Sequence, residues 1–171
     1  MLFRSALGLL FLRHHVTVFE LCFRLTGESH TADDLVQETF LRVLKYRNSF
    51  EGSSSFSTWI YRVTRNVCFD NFATRKRRKL AQFRALGSLS QGMEPSSEKE
   101  DERLEHLKQA LLALPLEKRE VLVLSKYHAL SHAEIANICT CSVSAVKVRV
   151  HRALHRPRHL YCELDREHDA V

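Results

Sequence analysis

Apolar residues recur at helical spacing along most of this chain. Phe56, Ile60, Val63 and Val67 stand at i, i+4, i+7 and i+11, which predicts one buried stripe on a helix. Tyr61, Arg62, Arg65, Phe69 and Phe72 fall on or beside its other face, and Arg75-Lys76-Arg77-Arg78-Lys79 follows. Upstream, residues from about Ala6 to Leu25 read as an amphipathic core helix. Thr31-x-x-Asp34 has capping-box spacing and opens a helix from Asp33 to Lys45, with Val36, Phe40, Val43 and Leu44 inward. Farther on, Leu104, Leu107, Leu111 and Leu114 make a stripe that stops at Pro115.

Between these patterns lies Gly87 to Glu102, polar, acidic and without an apolar period. A structureless loop of this length is uncommon inside one compact domain and reads as a tether between two. With only 5 Gly and 3 Pro, and few alternating β-branched runs, the chain reads as helix throughout. The expected architecture is therefore all-α: two small helical lobes, residues 1–80 and 103–171, joined by a flexible acidic linker at 81–102.

The second lobe carries a helix-turn-helix pattern. Ser131-His132-Ala133-Glu134 is a capping box opening a short helix with Ile135, Ala136 and Ile138 buried. Cys139-Thr140-Cys141 makes a tight turn, and Ser142 caps a second helix whose expected buried stripe is Val143, Val146, Val150 and Leu154. Its outer face shows Ser144, Lys147, Val148, His151, Arg152 and His155, flanked by Arg149 and Arg156, before Pro157 ends it. Such a face suits the major groove: Lys and Arg donate to guanine, and Val148 meets a thymine methyl. A solvated αα-hairpin is the alternative.

Charge and chemistry narrow the reading. The formal net charge of +6 makes a polyanion a plausible partner, and the aromatic–arginine helix suits unstacked bases and phosphates, or else aromatics in a core beside a solvated basic end. Asp34 and Glu38 are like charges at i, i+4, with Arg42 placed to relieve Glu38; the exposed Asp34-Gln37-Glu38 face offers docking to a basic partner. The 5 cysteines are an odd number without scaffold spacing, as in a reducing compartment. Cys139 and Cys141 near His128 and His132 would suit a metal or redox role, but a second ligand pair at zinc-finger spacing is missing. The apolar run Leu7–Leu12 is short, lacks a cleavage site and is broken by Arg13-His14-His15, so it reads as neither signal peptide nor membrane span, and the protein as cytoplasmic. No Walker loop, nucleophile–base pair or complete metal site is present, so neither an enzyme nor a cofactor is expected. An enzyme acting on nucleic acid would have only Asp33, Asp34 and Glu38 for its metal; a stand-alone duplex-binding regulator would need a ligand or dimer domain in the first lobe.

The order of Asp34-Leu35-Val36-Gln37-Glu38-Thr39-Phe40, Ser49-Phe50-x-Gly52, Phe56-Ser57-Thr58-Trp59-Ile60-Tyr61-Arg62 with Asn66, an acidic tether, Ala113-Leu114-Pro115-x-x-x-Arg119 and Leu130-Ser131-x-x-Glu134-Ile135-Ala136 resembles the bacterial extracytoplasmic-function sigma factors. The likeness runs from about Phe11 to Tyr161. It implies that the first lobe, sigma domain two, docks on core RNA polymerase and melts the promoter −10 element, and that the second, sigma domain four, reads the −35 duplex. It places Asp34, Gln37 and Glu38 on the polymerase contact. It places the loop Ser49–Ser55 (Phe50, Ser53, Ser54 and Ser55) with Asn66 around a flipped −10 base, and Arg62, Arg65, Arg75, Lys76, Arg77 and Arg78 on phosphates. Trp59 is expected in the core rather than against a base. Ser144, Lys147, Val148, His151 and Arg152 would read the −35 element. Ser125-Lys126, Val148, His151 and His155 depart from the family's pattern, which bears on the −35 preference. An anti-sigma protein, commonly membrane-linked, is the implied inhibitor.

Overall fold

The computed structural model describes the backbone of residues 2–86 and 102–154, and the side chains of 8–82 and 107–154. The acidic linker from 87 to 101, His155, Arg156, Pro157, Cys162 and the side chain of Leu104 lie outside the described residues. Helices account for the architecture, and no strand occurs among the described residues. They are α1 (Leu2–Thr26), α2 (Ser29–Lys45), α3 (Phe56–Leu86), α4 (Glu102–Leu112), α5 (Leu116–Lys126), α6 (His132–Cys139) and α7 (residues 143–154), with a 3-10 turn at Arg47–Ser49.

In the first lobe α1 packs on α2 and α3. Val18, Leu21, Cys22 and Leu25 of α1 repeat at i, i+3, i+4 and i+7 and are buried against Leu35, Val36, Phe40 and Val43 of α2 and Ile60, Val67 and Cys68 of α3. The expected core helix therefore contributes mainly its second half. Leu9, Leu12 and Val16 are exposed, while Phe11 lies on Phe40 with ring centroids 4.8 Å apart. Thr39 and Thr64 sit in this core because each hydroxyl donates to the carbonyl four residues back, Leu35 and Ile60.

Gly27 ends α1 with φ at +79° and donates its N–H to the Phe23 carbonyl, the left-handed stop that glycine adopts without strain. Helix α2 then opens at Ser29, earlier than the Thr31 capping box predicts. Glu28 is its extended N-cap residue, and Thr31 donates to the Glu28 carboxylate at 2.6 Å instead of capping a helix of its own. Arg75 and Thr31 together hold the Glu28 carboxyl below its usual range. Helix α3 runs on past Lys79 to Leu86, so 81–86 are helix rather than linker. No Gly or Pro interrupts that run.

The second lobe is built around α5, whose Val121, Leu122, Val123 and Leu124 are all buried, together with Arg119 and Glu120. A helix covered on every side is an interior helix; this one packs on α1 of the first lobe and on α6. Leu111 and Leu114 join the core, but Leu107 is 46% exposed, so the predicted α4 stripe is buried only at its C-terminal end. The Ser131–Glu134 capping box is present, and Thr140 in the left-handed region turns the chain. Ser142 caps α7 by accepting the Ala145 N–H at 3.2 Å. On α7 the buried stripe is Val146, Val150 and Ala153; Val143 and Leu154 are exposed at 40% and 41%. The buried stripe thus begins at Val146 rather than Val143, and Ala153 takes the place expected of Leu154.

The lobes rest against each other. Arg119 donates to the carbonyls of Leu25, Leu112 and Leu114. Arg65 pairs with Glu120, Tyr61 hydrogen-bonds His128 at 3.0 Å, and Arg24 lies over the Tyr127 ring at 3.7 Å. Tyr61, expected on the outer face of α3, is therefore buried in this contact. Burial pushes its phenol up to about 12 and lowers the pKa of the His128 ring beside it.

Two glycines with positive φ give a controlled test of the close approach between lobes. A Cβ on Gly27 would meet Leu112 Cδ1 at 2.5 Å, whereas a Cβ on Gly52 (φ +71°) would meet open space. Gly52→Ala carries only left-handed strain, about 1–2 kcal/mol. Gly27→Ala carries that strain and a clash, and is expected to lower the urea midpoint clearly further; equal shifts would mean Leu112 is not held there.

Candidate nucleic-acid interface

The loop after α2 and the start of α3 enclose an open cavity of about 420 Å³, within the ~300–1,000 Å³ common for small-ligand sites. Ser49, Phe50, Glu51, Ser53, Ser54 and Asn66, all within the loop and position expected around a base, line it, together with Trp59 and with Arg62, which was expected on phosphates. Tyr46 and Val63 also line it and were not expected. Their signal was available: Val63 lies one residue from Arg62 and three before Asn66, on the same turn of α3. The lining rings Phe50 and Trp59 belong to an aromatic cluster in which Phe50 lies 5.7 Å from Phe56 edge-to-face and 5.5 Å from Trp59, with Phe56 5.7 Å from Trp59. Trp59 is 8% exposed, as expected of a core residue, and still lines the cavity. The arrangement supplies apolar faces, hydroxyl and amide groups and one guanidinium around a space that admits a planar heterocycle.

Ser55 has a different post. Its hydroxyl accepts the Thr58 N–H at 3.1 Å and lies 2.9 Å from the Thr58 hydroxyl, so it caps α3 outside the cavity. Among the basic residues, Arg62, Lys76, Arg77 and Arg78 are exposed. Arg75 instead reaches back to Glu28 at 2.7 Å. Arg65 turns away from solvent to Glu120, packs over Phe69 at 4.2 Å, and sends one guanidinium nitrogen to the Asn66 side-chain carbonyl at 3.4 Å. Glu120 is 1% exposed and also accepts the Cys139 thiol at 3.3 Å; burial pushes its carboxyl up while Arg65 and Cys139 pull it down.

On α2, Asp34 and Gln37 are exposed. Glu38 is held by Arg42 at 2.8 Å, and Arg42 reaches on to Asp70 at 2.6 Å. The i, i+4 pair expected from the sequence is present and extended by a residue from α3. Leu41, 62% exposed, continues the Asp34–Gln37 stripe by one turn. It was missed, although an apolar residue outside the inward stripe marks such a position. On α7, Ser144, Lys147, Val148, His151 and Arg152 all face outward, with Val148 46% exposed. The expected reading face is thus assembled on one helix.

Among the described residues, Cys139 and Cys141 do not converge with His128 and His132 as a metal site. Cys139 is engaged with Glu120, His128 with Tyr61, and among the described residues no group of three or more His, Cys, Asp or Glu is placed to hold a metal. Among the described residues no helix is long and apolar enough to cross a membrane.

Comparisons with known proteins agree with this geometry. Residues 10–78 match the family model for sigma-70 region 2, and residues 104–156 match that for sigma-70 region 4. The ECF RNA polymerase sigma factor SigW of Bacillus subtilis (strain 168) is 33% identical over 145 residues, covering 79% of this chain and 78% of that protein. The ECF RNA polymerase sigma factor EcfG of Rhodopseudomonas palustris (strain TIE-1) is 35% identical over 130 residues, covering 75% and 70%. Among solved structures, the sigma factor RpoE of Bartonella quintana, in complex with the anti-sigma factor NepR, superposes with a TM-score of 0.73 at 25% identity over 90% of this chain and 95% of that one. With a base-sized pocket on the region-2 match and an outward-facing helix-turn-helix on the region-4 match, the chain belongs to the extracytoplasmic-function sigma factors of RNA polymerase.

Proposed function

We propose that this sigma factor docks on core polymerase through α2, captures a flipped −10 base in the α3 cavity and reads the −35 duplex with α7. The observation that carries the reading is the cavity, walled by Phe50 and Trp59 and bordered by Arg62 and Asn66, on the same lobe as the exposed Asp34–Gln37–Leu41 stripe. A flipped base needs hydrogen-bonding groups set between apolar faces, and the cavity supplies both. Arg62, Lys76, Arg77 and Arg78 are positioned as phosphate contacts, and Lys147, Val148, His151 and Arg152 with Ser144 as the duplex reader. In this reading residues 1–80 form sigma domain two and 103–171 sigma domain four, with 81–102 between them except where α3 extends to Leu86. The protein works in the cytoplasm, where the polymerase and DNA are, and performs no catalysis itself. Likeness to a sigma factor bound by an anti-sigma factor supports an inhibitor of that kind here. Its acidic segments would lie opposite Arg62, Arg149 or Arg152 across an interface of well over ~1,000 Å². Promoter-dependent transcripts from core polymerase mixed with this chain test the whole reading; their absence would refute it.

Four sets of substitutions divide the labour. Asp34→Lys with Leu41→Asp should weaken holoenzyme formation at least ~100-fold in a polymerase titration, because a charged and an apolar anchor are lost together; unchanged affinity would remove α2 from the contact. Asn66→Ala should reduce discrimination at one −10 position by about 1–3 kcal/mol, whereas neutralising Lys76, Arg77 and Arg78 should weaken all promoters alike and flatten the salt dependence. Arg152→Ala should relax preference at a single −35 base pair, read by selection from randomised duplexes.

A further inference from the structure

The middle of the outward face of α7 is apolar, and what that residue can recognise rests on the function proposed above. The buried stripe of Val146, Val150 and Ala153 stands ~140–200° around the helix from Val148, at ~100° per residue. Val148 therefore points away from the core, 46% exposed, between exposed Ser144 one turn before and His151 and Arg152 one turn after. Val143 and Leu154, the other exposed apolar residues of α7, are its first and last residues and flank the buried stripe, where a helix end leaves them uncovered. Neither reason applies to Val148, which sits in the second turn.

We propose that Val148 makes this chain a reader of the pyrimidine C5-methyl group, so that at one −35 base pair 5-methylcytosine is accepted where unmethylated cytosine is refused. Base edges in the major groove present hydrogen-bond donors and acceptors, and their single apolar feature is the C5-methyl of thymine. An isopropyl group neither donates nor accepts. Against the N4 amino group of cytosine it leaves a desolvated donor without a partner. Against the methyl, both apolar surfaces leave water. 5-Methylcytosine carries that methyl on the same ring carbon.

The side chain is suited to the task by its stiffness. A β-branched residue in a helix holds mostly one χ1 rotamer, so little freedom is lost on contact. On its N-terminal side the Ser144 hydroxyl lies 3.0 Å from that of Ser142, which caps the helix. Lys147 and Arg152 supply donors to either side, and the base pair beneath Val148 is judged by its methyl group.

The test uses holoenzyme assembled from the full chain and core polymerase, with a −35 duplex selected from randomised DNA. Each thymine in turn is replaced by deoxyuridine, which deletes the methyl alone. One replacement should lower affinity about four-fold, the equivalent of ~0.8 kcal/mol for one buried carbon group. With a cytosine–guanine pair at that position, 5-methylcytosine should bind about four-fold tighter than cytosine. Val148→Ser should bind the methylated and unmethylated forms alike, whereas Val148→Ile should keep the difference; the position is exposed, so neither variant disturbs the core. A flat uracil scan, a selected element without thymine, or methyl sensitivity that survives in Val148→Ser would overturn the proposal. Promoter-dependent transcription is scored separately: if the holoenzyme yields none, the sigma reading fails, and the same selection and scan with the full chain alone still decide whether Val148 reads the methyl.

Discussion

One buried guanidinium sets the geometry of this molecule. Helix α1 ends with carbonyls that have no partners within the helix, and the end of the helix carries partial negative charge. Arg119 supplies a cation and two donor nitrogens to that end and to the α4–α5 corner, at Leu25, Leu112 and Leu114. Burial lowers its pKa, yet a guanidinium stays charged in a protein, so the site is stable only while those carbonyls remain in place. Because Arg119 stands near the start of α5, it also fixes that helix in rotation. Glu120 then faces Arg65, and Tyr127 and His128 beyond the helix end arrive at Arg24 and Tyr61. Gly27 completes the fit by leaving room for Leu112.

Much of the fold was legible because period and punctuation agreed. The Ile60–Val67 stripe, the Ser131–Glu134 capping box and the Thr140 turn all follow from local rules, and each is present. Long-range partners were not legible. Tyr61 was assigned to an outer face by helical phase alone, and nothing local shows that a second lobe covers that face. The same blindness applies to Arg65, whose phosphate-binding look in sequence conceals a partner 55 positions away in the chain. Thr31 misled for a simpler reason: a capping-box spacing recurs one turn inside a helix that another residue starts.

The candidate site was read more fully than its surroundings. Six of the residues expected around the pocket do line it, because loop and helix residues close in sequence must also be close in space. Ser55 was absorbed by the demand of α3 for an N-cap, a demand that ranks before any ligand. Leu41 escaped notice since apolar residues are first assumed to point inward. The aromatic wall is fixed by mutual packing of Phe50, Phe56 and Trp59, so a ligand entering the cavity would meet surfaces already in position.

The bond from Cys139 to Glu120 bears on chemical vulnerability. Thiol oxidation and alkylation proceed through the thiolate. Burial, the nearby carboxylate and the hydrogen bond to it all drive the Cys139 proton to stay on sulfur. While the second lobe keeps Glu120 sealed against α3, peroxide and electrophiles meet an inert group. The closed chain thereby shelters this cysteine from damage, and its rate of alkylation becomes a clock for how often that seal is broken.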